Sequence, residues 1–142
     1  MRFWDTSAVV SLLCEEAGSG SARDLLASDP EVAVWWATPV ECMSSIARRE
    51  REGASRLVVR ALERRLRALA ERWTEVSPTD AVRADAMRLL RLHLLRAADA
   101  LQLAAARAIC RGTPAGFPLV TADERLGDAA HREGFEVVDP LA

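Results

Sequence analysis

The chain opens MRFWDTSAVVSLL over residues 1–13, and this stretch decides the fold class. Met1–Trp4, with Phe3 and Trp4, reads as a short strand. From Ser7 to Glu15 the apolar positions Val9, Val10, Leu12 and Leu13 recur at helical spacing. A strand that turns at once into a helix begins an α/β unit, and Asp5 sits on the turn.

The same alternation continues outward. Gly18 and Gly20 break the pattern before a short helix over Ala22–Ser28, which ends at Asp29-Pro30. Val32–Trp36 is a continuous apolar, β-branched and aromatic run, as in a strand covered on both faces. Thr38-Pro39-Val40-Glu41 predicts a helix start, with Thr38 as N-cap, Pro39 at the first helical position and Glu41 three residues after the cap. That helix is expected to run to about Gly53. A further helix over Ser55–Trp73, with Leu57, Ala61, Leu62, Leu66, Leu69 and Trp73 as its buried stripe, forms a helical hairpin with it. Then come a strand at Thr74–Ser77, helices at Thr79–Leu92 and Arg96–Arg111, and a Gly/Pro loop. A strand at Leu119–Thr121, a helix at Glu124–Glu133 stopped by Gly134, and a strand at Phe135–Val138 complete the chain. Strands separated by helices imply a three-layer α/β/α domain with a mostly parallel central sheet, expected to span residues 1–142 as one unit.

Composition narrows the function. The formal net charge is −2, so bulk positive charge does not hold a polyanion, and any such ligand must bind locally. All 19 basic side chains are Arg. The three cysteines, Cys14, Cys42 and Cys110, are far apart and form no CxxC pair, which argues for buried thiols rather than disulfides or zinc. The apolar start is interrupted by Asp5 and followed by Glu15 and Glu16, unlike a signal peptide, and no run is long enough to span a bilayer. The expected location is the cytoplasm. His93 and His131 lack a nucleophile partner, and the absence of Lys removes the usual P-loop residue.

Four acids stand out. In an open parallel sheet, ligands gather at the carboxyl ends of the strands. Asp5 and Asp123 each follow a strand and open a helix, and Glu41 lies in the first turn after the second strand. Asp99 lies on a helix among Leu95, Gln102, Leu103 and Ala106, where an isolated carboxylate must be protonated, hydrogen-bonded or bound to a cation. Taken singly, capping accounts for Asp5, Glu41 and Asp123 as well as chemistry does. Taken together, like charges on one rim repel unless a divalent cation neutralises them. Oxygen ligands without His or Cys select Mg²⁺ or Mn²⁺, and phosphodiester hydrolysis fits such a centre. Arg48, Arg49 and Arg51 could guide phosphates but read better as a solvated helix face, and Trp35 and Trp36 read as core and helix contacts rather than stacking platforms.

Four segments carry a resemblance: FWDTSAVVSLL around Asp5, TPVECMSSIARRE around Glu41, LRAADALQLAAA around Asp99 and LVTADERLGDAAHREGFEVVDP around Asp123. In this order they resemble the PIN-domain family, and within it the VapC toxins of bacterial toxin–antitoxin pairs. The resemblance implies a magnesium- or manganese-dependent ribonuclease with Asp5 and Asp99 as principal metal ligands and Glu41 and Asp123 completing the pocket. Thr6, Ser7 and Thr121 match small hydroxyl positions near the site. It also implies a homodimer, cleavage leaving a 5′-phosphate and 3′-hydroxyl, and inhibition by a small VapB-like antitoxin. A non-catalytic binding module and a structure-specific DNA nuclease are the rival expectations.

Overall fold

The computed structural model describes residues 1–14 and 18–142; Glu15, the expected end of the first helix, lies outside the described residues. Five strands, β1 (Arg2–Trp4), β2 (Val32–Trp35), β3 (Thr74–Val76), β4 (Pro118–Val120) and β5 (Glu136–Val138), form one sheet in the order β3-β2-β1-β4-β5. Every pairing is parallel, so the sheet is more regular than the mostly parallel one expected. The chain moves outward from β1 through β2 to β3, then crosses to β4 on the other side of β1. The strand order therefore reverses between β1 and β4, the point where an open α/β sheet leaves a crevice.

Seven helices connect the strands: α1 (Thr6–Leu13), α2 (Ser19–Ser28), α3 (Thr38–Arg51), α4 (Arg56–Ala70), α5 (Asp80–Leu92), α6 (Ala97–Ile109) and α7 (Glu124–Arg132). Successive strand side chains point to opposite faces, and the two cores divide accordingly. Phe3, Ala33, Trp35, Val76 and Leu119 pack beneath α5, α6 and α7. Trp4, Val32, Val34 and Val120 pack beneath α1, α3 and α4. Covered on both sides, the central strands exclude polar residues, which explains their unbroken apolar runs. Among the described residues, no helix is long and apolar enough to cross a membrane.

Several local expectations change. The residue capping α3 is Ala37, in a right-handed conformation with no side-chain cap bond, while Thr38 is already helical and fully buried. The capping-box geometry is therefore absent, and Glu41 is free to bond elsewhere. α2 begins at Ser19, three residues before the predicted start, because Gly20 lies within its first turn and the break falls on Gly18 in the left-handed region (φ 88°). In α4 the buried face is Val59, Leu62 and Leu66, spaced by three and four residues, and Leu57, two residues before Val59 and on the opposite side, is 80% exposed. β4 is shifted by one residue, which leaves Thr121 just past its end. Trp35 is buried but Trp36, at the carboxyl end of β2, is 53% exposed rather than packed on a helix. The three cysteines are buried, as expected. α3 and α4 pack as the predicted hairpin, turning through Gly53 (φ 103°).

Candidate active site

Parallel register builds the centre of the site. Trp4 lies opposite Val120, so the residues that follow them, Asp5 and Thr121, emerge side by side at the crevice. The Asp5 amide donates to the Val120 carbonyl (3.1 Å), closing the edge between the two strand ends. Asp5 then caps α1: its Oδ1 accepts from the Ala8 N–H (3.0 Å) and from the Ser7 hydroxyl (2.7 Å). Its Oδ2 accepts from Thr121 Oγ1 (2.9 Å). Thr121 Oγ1 in turn accepts from the Asp123 N–H (3.0 Å), and Ser7 Oγ accepts from the Ala122 N–H (2.9 Å). Asp123 caps α7 through Oδ1, which accepts from the Leu126 N–H (2.9 Å). Capping and site assembly are thus one set of bonds.

A second set of bonds joins α1, α3 and α6. Gln102 is buried among apolar neighbours at 2% exposure, and its Nε2 lies 2.9 Å from Thr6 Oγ1, 3.3 Å from Thr38 Oγ1 and 3.1 Å from Glu41 Oε1. Two N–H groups shared among three acceptors orient Glu41 towards α6. The other end of the amide, Oε1, is buried without a hydrogen-bond partner among the described residues. Gln102 was not singled out by the sequence reading. The available signal was a polar residue one helical turn after Asp99, flanked by Leu101 and Leu103. Asp99 itself lies in the first turn of α6 and is half-buried, on the face that runs from the core-packed Leu95 to the buried Gln102, Leu103 and Ala106, as the sequence reading expected.

Electrostatics links the four acids. Burial pushes Asp5 up to about 6 against the lowering effect of its bonds from Ser7, Ala8 and Thr121, and the Asp123 charge adds to the rise. Burial also raises Glu41, opposed by hydrogen bonds from Gln102 and Thr6 and reinforced by Asp99. Asp99 is raised by burial and then by Asp123, with Arg96 and Arg125 pulling the other way. Each acid therefore lies in the field of at least one other, running from Asp5 through Asp123 and Asp99 to Glu41. Beneath them the Cys42 thiol, raised by burial and by the Glu41 and Asp5 charges to about 12, stays protonated. Among the described residues, no three His, Cys, Asp or Glu side chains converge closely enough to form a ready metal cage. The arrangement is a chain of acids with hydroxyl and amide links.

Comparison with known proteins assigns the chain to a family. The chain superposes on a toxin–antitoxin complex from Klebsiella pneumoniae at 19% identity and TM-score 0.67, covering 99% of this chain and 98% of that one. It also superposes on PAE2754 from Pyrobaculum aerophilum at 16% identity and TM-score 0.70, covering 99% and 91% respectively. At these identities the likeness establishes the fold. No curated protein matches the sequence. The family model for the PIN domain, whose members are generally nucleases, matches residues 2–132, nearly the whole length, and so the chain belongs to the PIN-domain family.

Proposed function

We propose that the chain is a Mg²⁺- or Mn²⁺-dependent endoribonuclease that hydrolyses RNA phosphodiesters with water. In this reading it is the VapC-type toxin of a type II pair, held in check by a small antitoxin. The observation that carries the reading is the linkage of the acids at the switch-point crevice, Asp5 to Asp123 through Thr121 and Glu41 to α6 through Gln102, with burial favouring the protonated forms of Asp5, Glu41 and Asp99. Acids that are buried, mutually repelling and still supplied with carboxylate-binding donors are stabilised as anions by a cation.

The donor set fits such a cation. It consists of carboxylate and hydroxyl oxygens, and Mg²⁺ uses only one or two carboxylates while keeping several waters, so a closed protein cage is not required. Asp5 and Asp99 are the proposed direct ligands, with Glu41 and Asp123 acting directly or through water. When bound, the ion supplies electrophilic activation of the phosphate and acidification of water. The chain's own residues do the rest. Ser7 and Thr121 hold the Asp5 carboxylate at both oxygens, Gln102 fixes Glu41, and the buried strand ends exclude bulk water. Ser7, Thr6 and Thr121 are positioning residues in this reading.

The toxin role is supported by the fold shared with the Klebsiella toxin–antitoxin complex. A homodimer interface would cover exposed apolar side chains such as Val40 (68%) and Met43 (39%) on α3 or Met87 (63%) and Leu90 (41%) on α5. The test is cleavage of single-stranded RNA and of DNA by purified, partner-free protein with Mg²⁺ or Mn²⁺. RNA is cut, EDTA stops the reaction, and Asp5→Asn and Asp99→Asn abolish it without unfolding the protein. Full cleavage in both variants would defeat the assignment.

A further inference from the structure

A net-negative nuclease must meet its polyanionic substrate through local positive charge, and the surroundings of the acidic rim are strongly asymmetric. On the β5 side of Asp123, a groove of about 480 Å³ is lined by Asp123, Glu124, Asp128 and Asp139, with no arginine. On the α6 side, a cleft of about 210 Å³ is lined by His93, Leu94, Arg125, Asp128, Ala129 and Arg132. Asp128 is the only carboxylate of that cleft among the described residues. Arg96, the residue capping α6 three positions before Asp99, lies two residues after Leu94 of the cleft wall.

The arginines there are uncommitted. Arg96, Arg125 and Arg132 are exposed and make no salt bridge among the described residues. By contrast, Arg88 and Arg107 are locked onto Asp85 and Glu133 at 2.7–3.2 Å. Arg48, Arg49 and Arg51 lie near the far end of α3, about 10–15 Å along the helix from Glu41. Arg125 falls in the first turn of α7, two residues after Asp123, and Arg132 follows two turns later on the same face, about 10 Å further from the rim. Arg96 and Arg125 thus stand at the N-terminal ends of α6 and α7, within three residues of Asp99 and Asp123 respectively.

We propose that single-stranded RNA crosses the acidic rim on the α6–α7 side, with Arg96 and Arg125 gripping the phosphates beside the cleaved one and Arg132 holding a phosphate further along. This inference rests on the nuclease reading and assigns the polarity of approach within it. Guanidinium forks contact phosphate oxygens bidentately, and the exposed Leu94 (84%) gives the adjoining base an apolar surface.

The experiment is fluorescence anisotropy of a labelled, mixed-sequence single-stranded RNA 12-mer in metal-free buffer with EDTA, titrated over a range of salt concentrations. Wild-type protein is compared with Arg96→Gln, Arg125→Gln, Arg132→Gln and, as a control on the far end of α3, Arg51→Gln. Each rim variant flattens the dependence of log affinity on log salt by about 0.7, the share of one phosphate contact on a single strand, while Arg51→Gln leaves it unchanged. With Mn²⁺ present, the rim variants raise KM several-fold and largely keep kcat. Unchanged slopes in all three rim variants, with wild-type RNA binding and cleavage intact, overturn the path and leave the nuclease reading standing. Wild-type binding with reduced slopes in the variants but no cleavage supports the path and overturns the nuclease reading. No RNA binding by the wild type overturns both.

Discussion

Replacing Asp5 by Asn is expected to stabilise the metal-free protein while destroying its proposed chemistry. The Asp5 carboxyl is 4% exposed and is pushed from its ordinary value of 3.8 up to about 6. An acid whose value is raised on folding binds its proton more tightly in the native state, so stability falls as pH rises from the unfolded value through the folded one. The penalty is full above the folded value and absent below the unfolded one. Worked through, it is about 3 kcal/mol at pH 7 and roughly half that at pH 5. Asn removes it and keeps most of the bonds. Its oxygen still accepts from Ala8 and Ser7, and its amide donates to Thr121 Oγ1, whose lone pairs serve both that donor and the Asp123 N–H. Allowing about 1 kcal/mol for weaker, uncharged bonds leaves a net gain of about 1–2 kcal/mol at pH 7. In a domain of this length that raises the melting temperature by about 3–6 °C. The assay is thermal unfolding by circular dichroism in EDTA between pH 5 and pH 8, repeated with Mg²⁺. Asp5→Asn melts above wild type in EDTA, the gap narrows towards pH 5, and Mg²⁺ raises the wild type alone. A variant that melts at or below wild type at pH 8 in EDTA would refute the reasoning.

Other perturbations test separate parts of the structure. Gln102→Met keeps the buried volume and removes an unpartnered carbonyl, so the melting temperature is nearly unchanged, but loss of the donor to Glu41 lowers RNA cleavage about 10–100-fold in single-turnover assays. Glu133 accepts from His93 Nε2 (2.8 Å) and from Arg88 and Arg107; burial raises its carboxyl, but these partners outweigh it and hold it below the usual range. Its contribution is therefore present above the unfolded value of about 4.5 and is lost as pH falls through the lower folded one. Glu133→Gln destabilises by roughly 2–3 kcal/mol at pH 7 in urea unfolding, and the difference shrinks below about pH 4. Leu103→Ala, at a fully buried position between the sheet and α6, costs about 2–5 kcal/mol, read as an earlier urea midpoint with unchanged slope.

Particular residues show where sequence reading works. The strand–turn–helix at Met1–Leu13 was legible because an aromatic pair, a capping acid and a helical repeat are local features, and each keeps its role on folding. The two-helix hairpin from Thr38 to Ala70 and the stop at Gly134 were equally plain. Reading failed where two local options were nearly equal in energy. Thr38 has the chemistry of a cap but is pulled inside α3 by its contact with Gln102 Nε2, 64 positions away, and Ala37 takes the cap instead. Of the stripe expected for α4, Leu62, Leu66, Leu69 and Trp73 do pack on the core, but Leu57 falls off it and Val59 takes its place, because the face of α4 is set by its packing against α3 and α1.

What the sequence determined by itself was the alternation of strands and helices, the apolar faces that must be covered, and four acids placed where helices begin. These follow from spacing and propensity, which are properties of a chain read one turn at a time. Only the tertiary structure decided that β4 pairs with β1, because the crossover from β3 is set by which edge of the sheet remains open to a long connection. That single pairing puts Asp5 beside Thr121 and, through it, Asp123. Only the tertiary structure brings Gln102 to Glu41 and sets Arg125 and Arg132 of α7 against His93 and Leu94 in one cleft, since contacts between distant segments depend on register and helix packing rather than on local order.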